Sequence, residues 1–235
     1  MAINYNPRIV TDGMLVCLDA GNRKSYSGSG TTWTDLSGKS NSATLVNTPT
    51  YNSLSHFNFN TSTFQHATVS DIGSQSVWTV EAWFRITSSL TNQVTTVVCN
   101  QFDGVNKLNF SMGTNNAGLV GGAAQWNICV GFFDGSWHNT SGFAPTLNTW
   151  THSVGTYNGT TVQQYKNGAT DTSLTYSGTP QSGGANRIAR RWDASAIDPL
   201  NFFPGDIAVI RIYNRALSAT EVQQNFNALR GRFGI

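Results

Sequence analysis

The stretch WTHSVGTYNGTTVQQYKNGATDTSLTY, residues 150–176, decides the fold. It contains two Asn-Gly pairs, Asn158-Gly159 and Asn167-Gly168, each between segments in which apolar and polar residues alternate. Asn and Gly tolerate the positive φ angles of a type I′ turn, so each pair predicts a tight β-hairpin. Three antiparallel strands in series follow from this stretch.

A second alternating segment is WTVEAWFRI, residues 78–86. Glu81, Trp83 and Arg85 share one face of the predicted strand and its apolar residues share the other, so the two faces meet different surroundings. Other strand candidates are GMLVCLDA (13–20), FNFNT (57–61), QHATVS (65–70), TTVVCNQ (95–101), KLNFSMG (107–113), NICVGFF (127–133), NRIARR (186–191) and GDIAVIRIYN (205–214).

Many short strands with frequent turn signals predict an all-β fold, a two-sheet antiparallel β-sandwich with one short C-terminal helix. Neither a repeat nor a low-complexity linker divides the sequence, so we predict a single domain over residues 1–235. Residues 1–8 are predicted to form an N-terminal arm, and residues 230–235 a C-terminal tail.

The predicted helix begins with a capping box, in which Ser218 and Glu221 satisfy backbone N–H groups reciprocally. Val222, Phe226 and Leu229 fall on one face and predict docking on the sandwich. Gly231 is the predicted stop. The tail beyond the apolar face is left without an internal contact, which makes it the predicted assembly segment, with Arg230, Arg232 and Phe233 as its contact residues.

Composition excludes several functional classes. Charged residues make up 11% of the chain, against roughly 25% in average domains. The net charge is +2, and the small basic excess is spread along the chain, which does not suit a nucleic-acid partner. No segment has transmembrane length, and the N-terminus lacks the apolar stretch of a signal peptide, so we expect no membrane partner and no secretion. The cysteines predict buried free thiols.

Four blocks carry a family resemblance: residues 9–45, VEAWFRI (80–86), LNTWTHSVGTYNGTTVQQYKNG (147–168) and GDIAVIRIYNRALSATEV (205–222). In this order they resemble the laminin-G-like, concanavalin A-type jelly-roll family, from about Ile9 to the C-terminus. The resemblance implies two stacked antiparallel sheets, with strand GDIAVIRIYN pairing near the N-terminal strand.

Catalysis is the first function to test, because the broader fold includes glycoside hydrolases. Glycosidases need two carboxylates beside the scissile bond, and the resemblance implies an acidic strand similar to E-x-D-x-x-E. Glu81 and Glu221 are the only glutamates; Glu81 is isolated on its strand and Glu221 belongs to the capping box. We therefore expect a protein without catalytic residues, and we interpret His152 as structural.

Calcium is implied by the resemblance, because domains of this family often hold one Ca²⁺ at the edge of the sandwich. The matching positions are Asp19, Asp35 and Asp206. The alternative is that these residues form turns, and Lys39 places a positive charge beside the expected site. No other cofactor is expected.

Tryptophans in loop-like sequence are candidates for glycan contact, because sugars stack on aromatic rings. Two segments combine rings with charged and amide groups: FFDGSWHNTSGF (132–143) and ARRWDASAIDPLNFF (189–203). They predict a contact surface for a glycan or a neighbouring subunit, or alternatively loops that pack on themselves. The candidates are Trp126, Trp137, His138, Arg190, Arg191, Trp192 and Asp193. We interpret Trp33, Trp78, Trp83 and Trp150 as packing residues.

The ending NRALSATEV…NALRGRFG (214–222 and 227–234) is similar to predicted structural proteins of tailed phages, marine ones in particular. The resemblance implies a non-enzymatic virion protein, a capsid decoration or tail component made in the host cytoplasm. Its expected partners are other virion proteins, cell-surface glycans and further copies of the chain. The alternatives are a freestanding carbohydrate-binding module and, less favoured, a glycan-cleaving enzyme.

Overall fold

The computed structural model describes residues 8–52, 55–89, 95–100, 108–114, 127–180, 184–191 and 201–235. In this part of the chain, two antiparallel sheets of eight strands each form a sandwich, and one helix follows the last strand. The predicted fold class is confirmed. None of the described helical segments has the length and apolarity needed to cross a membrane.

The sheet that carries the helix is called sheet 1. The strand β1 (Met14–Asp19) pairs with β16 in this sheet, outside the main order. The main order is β14 (Ala169–Thr175), β13 (Thr161–Lys166), β12 (Thr151–Tyr157), β7 (Trp78–Ile86), β16 (Gly205–Tyr213), β5 (His56–Phe59) and β4 (Thr50–Asn52). The pairing of β1 with β16 confirms the implied contact between the two ends of the chain.

The second sheet, sheet 2, packs against sheet 1. Its order is β11 (Trp137–Asn139), β10 (Ile128–Phe133), β9 (Leu108–Thr114), β8 (Thr96–Asn100), β15 (Asn186–Ile188), β6 (His66–Val69), β3 (Ala43–Val46) and β2 (Thr32–Trp33). The main core lies between the sheets and includes the whole apolar face of β7. Trp33 and Trp78 are completely buried there, as their interpretation as packing residues requires.

The two Asn-Gly hairpins differ. Asn167 and Gly168 both have positive φ, 51° and 80°, as a type I′ turn requires. In the first hairpin only Gly159 has positive φ, and the central pair is shifted to Gly159 and Thr160. The Asn158 side chain accepts a hydrogen bond from the Thr160 N–H at 3.0 Å. The predicted hairpin is therefore present, but its predicted turn type is wrong.

The helix α1 (Ala219–Phe233) covers the outer face of sheet 1. Both hydrogen bonds of the predicted capping box are present. Trp83 lies beneath the helix, and its ring stacks on Phe233 at 4.3 Å and on Phe226 at 5.8 Å. Trp83, on the outer face of β7, is therefore completely buried.

The predicted tail is not a tail. The helix continues through Gly231 to Phe233 and ends at Gly234, which has a φ of 70°. A helical glycine costs about 1 kcal/mol relative to alanine, and burial of the Phe233 ring, which is 7% exposed, outweighs that cost. Arg232 donates to Asp19 Oδ1 and to the Ser55 carbonyl, both at 2.6 Å. The expectation that residues 230–235 lack an internal contact is therefore wrong, whereas the assembly role of Arg230, Arg232 and Phe233 stays a prediction.

A buried ion pair fastens the helix to sheet 1. Arg211 and His152 both donate to Glu81 Oε1, and Asn225 of the helix donates to Glu81 Oε2 at 2.7 Å. Burial alone would raise the pKa of Glu81, but the charge of Arg211 and these hydrogen bonds lower it to about 2. Glu81 is therefore ionised and anchors the helix, and His152 is structural, as expected.

Candidate functional site

A bulge in β16 directs a carboxylate to the outer face of sheet 1. Ile207 pairs with Phe84 and Val209 with Trp83, so Ala208 is an extra residue in the ladder. Strict alternation from Val209 would point Ile207 outward and Asp206 into the core. The bulge reverses this, which places Ile207 in the core and leaves Asp206 on the outer face.

A cleft forms on this outer face because β1 and β5 share one edge of β16. β1 pairs with Val209–Tyr213 and β5 pairs with Gly205–Ile207. The cleft lies beside the pairing of β5 with β16. Its volume is about 470 Å³, within the range of ligand sites. It is lined by Thr50, Tyr51, Asn52, His56, Asn58, Arg85, Thr87 and Asp206.

Asp206 is the centre of a rigid polar set. Its side chain is 3% exposed and accepts hydrogen bonds from Arg85 Nε at 2.8 Å and Nη2 at 2.6 Å. Asn58 Nδ2 donates to its other oxygen at 2.8 Å. These bonds fix the Arg85 and Asn58 side chains while leaving Arg85 Nη1 and Asn58 Oδ1 outside the network. Among the polar groups that line the cleft, the Arg85 guanidinium is thus a donor, and the Asn58 amide oxygen an acceptor, in set positions.

His56 lies beside this set. Its Nδ1 is 2.6 Å from Ser55 Oγ, and its Nε2 is 3.6 Å from Asp206 Oδ1. Burial lowers the pKa of His56, Arg85 and Arg232 lower it further, and Asp206 opposes them. His56 is therefore neutral at pH 7. Since Arg85 and Asp206 neutralise each other, the cleft carries no net charge.

An aromatic ring stands at the edge of the cleft. Trp150 lies 5.1 Å from the Arg85 guanidinium and 5.3 Å from the His56 ring. It is half-buried, and its indole N–H has no hydrogen bond within the described chain. Phe233 of α1 packs against it at 4.8 Å. The sequence interpretation placed Trp150 among the packing residues; the structure also places its ring against Arg85 and His56, two residues that line the cleft.

The cleft does not have the geometry of a hydrolase site. Asp206 is the one carboxylate among its described lining residues, whereas glycosidases use two. Ser55, His56 and Asp206 follow the order of a nucleophile, a base and an orienting acid. The 3.6 Å separation is beyond hydrogen-bond length, however, and Asp206 is already paired with Arg85. The arrangement suits binding better than proton transfer.

The predicted contact residues are divided between distant places. Trp137 and His138 lie on edge strand β11, and the strands β10, β9 and β8 separate them from β15, which precedes Arg190 and Arg191. His138 stacks on Tyr176 at 3.4 Å and is bonded to Asp134 at 2.8 Å. Trp137 is half-buried and lies 5.0 Å from the Phe133 ring.

The two arginines also have internal contacts. The Arg190 guanidinium lies 5.5 Å from the Phe202 ring, and its Nη1 lies 3.5 Å from His66 Nε2. The Arg191 N–H donates to the Asn201 carbonyl at 2.8 Å. Trp126, Trp192 and Asp193 lie outside the described residues. The described part of this surface fits the alternative of loops packing on themselves.

The three aspartates matched to calcium occupy separate hydrogen-bond networks. Asp19 accepts from Arg232, and Asp206 from Arg85 and Asn58. Asp35 accepts from the Cys17 and Asn41 N–H groups and from Ser37. Within the described chain, no group of three His, Cys, Asp or Glu side chains is placed to hold a metal ion. The residues therefore do not fit a shared calcium site in this conformation.

Sequence reasoning missed His56, Asn58, Arg85 and Trp150 as site residues. One signal was available: Arg85 and Asp206 are opposite charges at the ends of two largely apolar strands, which also carry the opposite charges Glu81 and Arg211. Such charges are buried only when paired, so they predict a contact between the strands. The cleft beside them depends on the bulge and on the strand order, which one sequence does not display.

Comparisons with known proteins agree on the fold. The family described as the concanavalin A-like lectin/glucanases superfamily matches residues 50–223. Domain 4 of an extracellular arabinanase from Geobacillus stearothermophilus, solved with arabinotriose, has a TM-score of 0.64 at 15% identity. The match covers 90% of this chain and 97% of that domain. No curated protein matches the chain in sequence.

Two larger proteins contain the same fold. The binding domain of Paraclostridial Mosquitocidal Protein 1 has a TM-score of 0.64 at 17% identity, over 93% of this chain and 52% of that one. A sialidase from Trypanosoma rangeli has a TM-score of 0.61 at 16% identity, over 95% of this chain and 35% of the sialidase. The chain thus spans about half or a third of these proteins, and at such identities the likeness shows the fold alone.

Proposed function

This chain belongs to the concanavalin A-like lectin/glucanase superfamily, and from that premise we propose that it binds neutral glycans in the cleft around Asp206 without cleaving them. The observation that carries the proposal is the uncharged cleft, in which Asp206 holds Arg85 and Asn58 in fixed positions. A preset donor and acceptor bind sugar hydroxyl groups without the entropy cost of ordering long side chains.

Trp150 supplies the apolar part of the proposed contact. Sugars present C–H faces that pack on aromatic rings, and the indole N–H can donate to a hydroxyl group. The arabinanase domain with bound arabinotriose is consistent with glycan binding by this fold. The single carboxylate in the cleft supports binding rather than hydrolysis.

A glycan array with matched variants tests this proposal. Arg85→Lys keeps a positive charge beside Asp206 but removes the planar fork, and Trp150→Ala removes the ring. We expect each to weaken binding to neutral glycans at least about tenfold, or about 1.4 kcal/mol. Trp137→Ala, at the far edge of sheet 2, is the control and should bind normally. Loss of binding in the control alone would move the site to the hairpin before β11.

We also propose that the chain is a phage virion protein, a capsid decoration or tail component that displays this sandwich for adhesion. The support is the resemblance of the ending NRALSATEV…NALRGRFG to predicted structural proteins of tailed phages. The ending folds onto sheet 1 but leaves Arg230 and Arg232 exposed, where they remain available for the proposed assembly contact. Mass spectrometry and cryo-electron microscopy of purified virions test the proposal, and absence of the chain from the particle contradicts it.

A further inference from the structure

The cleft around Asp206 has a second hollow beside it. A second hollow of about 200 Å³ adjoins it and shares two of its lining residues, Asn58 and Thr87. The second hollow continues past the end of β5 and is also lined by Asn60, Thr61, Ser88 and Pro204. Because they share Asn58 and Thr87, the two hollows are neighbours near the ends of β5 and β7, and together they are called the groove.

The second hollow differs from the first in chemistry. Its described lining residues offer hydroxyl and amide groups and no charged side chain. Its floor is fixed, because the Thr87 N–H donates to the Pro204 carbonyl at 3.1 Å. The Asn58 side chain stands at the junction: its Nδ2 donates to Asp206, and its Oδ1 has no partner in the described chain. An uncharged ligand rich in hydroxyl groups suits both hollows.

We infer that the groove binds a neutral oligosaccharide as a chain, with one sugar ring in the cleft beside Arg85 and Trp150 and the next in the hollow beside Ser88. The inference rests on the proposed glycan binding and adds the ligand class, a neutral chain rather than a single terminal or acidic sugar. Linked rings that occupy adjoining subsites bind more tightly than one ring, because the linkage makes the second contact intramolecular.

The path of the bound oligosaccharide follows from the shared residues. A ligand that fills both hollows must pass between Asn58 and Thr87, so the bond between its two rings lies over this junction. Asn58 Oδ1 can accept a hydrogen bond from a hydroxyl group of either ring. Asp206, whose side chain is 3% exposed, acts as a positioning residue for Arg85 and Asn58.

Titration calorimetry with sugars of increasing length tests the inference. The probes are the monosaccharide, disaccharide and trisaccharide of arabinan, cellulose, amylose and galactan, with the same lengths of polygalacturonate as the acidic series. We expect affinity for a neutral series to rise at least about tenfold from monosaccharide to trisaccharide, or about 1.4 kcal/mol. The acidic series should bind more weakly at every length.

A variant in the second hollow locates the effect. Ser88→Leu fills this hollow with a side chain that makes no hydrogen bond and should reduce trisaccharide affinity to that of the monosaccharide, with the monosaccharide unchanged. Ser62→Leu, at an exposed position outside both hollows, is the control. Equal affinity for all lengths, or stronger binding of the acidic series, overturns the inference but leaves glycan binding intact. No binding by any series overturns the proposed function itself.

Discussion

At the scale of single residues, Glu81 should matter most for stability. Its carboxylate is completely buried, and Arg211, which is 1% exposed, depends on it as counter-ion. Removing one partner of a buried pair leaves an uncompensated charge, so we expect Glu81→Ala to reduce the free energy of unfolding by about 3–5 kcal/mol. Urea denaturation at pH 7 measures it.

Glu221 offers the matched control. It pairs with Arg215 at the helix N-terminus, where both side chains are partly exposed. Glu221→Gln retains the capping box, which accepts Glu or Gln, and loses only an exposed ion pair worth about 0–1 kcal/mol. Equal losses in the two variants would contradict the assignment of Glu81 as the buried anchor of helix α1.

His66 predicts a loss of stability in mild acid. Burial is the main cause that lowers the pKa of His66 to about 4. The hydrogen bond with the Phe64 carbonyl opposes this shift, and the charges of Arg190 and Arg187 add to it. The unfolded chain therefore binds more protons than the folded chain between about pH 6.5 and pH 4, and stability falls as the pH falls through that window. Between pH 6.5 and pH 4, His66 should reduce the free energy of unfolding by up to about 3 kcal/mol.

His66→Gln should remove this dependence, since Gln does not titrate. Urea denaturation of both proteins at several pH values between neutral and pH 4 measures the difference, and the two curves should diverge only below about pH 6.5. Parallel curves for wild type and variant would show that His66 is protonated as easily in the folded protein as in the unfolded one.

Single residues also show where sequence reasoning ended. Glu81 looked isolated because its partners, His152, Arg211 and Asn225, are distant in sequence and meet it only through sheet order and helix docking. His152 was identified as structural because it lies among apolar strand residues, which is local information. Asp206 was identified as a carboxylate of interest, but its partner, Arg85, required the strand register.

At the scale of elements, the last turn of α1 should carry much of the helix docking. Phe233 is 7% exposed and stacks on Trp83. Removing a buried ring costs about 3–5 kcal/mol, so Phe233→Ala should reduce the free energy of unfolding by about that amount. Arg230→Ala, on the exposed side of the same turn, should cost less than about 1 kcal/mol. A phage assembly defect in a stable Phe233→Ala protein would instead support the predicted assembly contact at Phe233.

The two hairpin glycines make a paired prediction. Gly159 and Gly168 both have positive φ, so alanine is strained at each and costs about 1–3 kcal/mol. A Cβ at Gly159 meets open space, whereas a Cβ at Gly168 lies 2.7 Å from the Phe226 ring of α1. Gly168→Ala should therefore be the more destabilising of the two in urea denaturation. The reverse order would mean that the second hairpin does not support the helix.

The elements themselves were largely predictable. Alternation in WTVEAWFRI gave strand β7 its bounds, and the capping box located the start of α1. The end of the helix was not predictable from Gly231, because the tertiary contact of Phe233 with Trp83 outweighs local propensity. The two Asn-Gly pairs have the same sequence but form different turns, because the register of the flanking strands decides which two residues lie at the centre of each turn.

At the scale of the whole molecule, the sandwich could be predicted from the many short strand segments and from the four segments that resemble the family in the same order. The groove did not, because it needs two strands on one edge of β16, a bulge at Ala208 and the end of a helix in one place. Each of these is a long-range arrangement. A sequence lists the polar residues that line such a groove, but strand order decides which of them meet.

The stability of the whole molecule should not depend on calcium. A cation that binds the folded chain must raise its melting temperature. Asp19, Asp35 and Asp206 already accept hydrogen bonds from arginine side chains or backbone N–H groups, and Ca²⁺ would have to displace these donors. We therefore expect equal melting temperatures in excess calcium chloride and in excess EGTA. A higher midpoint with calcium that disappears in Asp35→Asn, but persists in Asp71→Asn, would place a metal at the β1 edge and contradict this expectation.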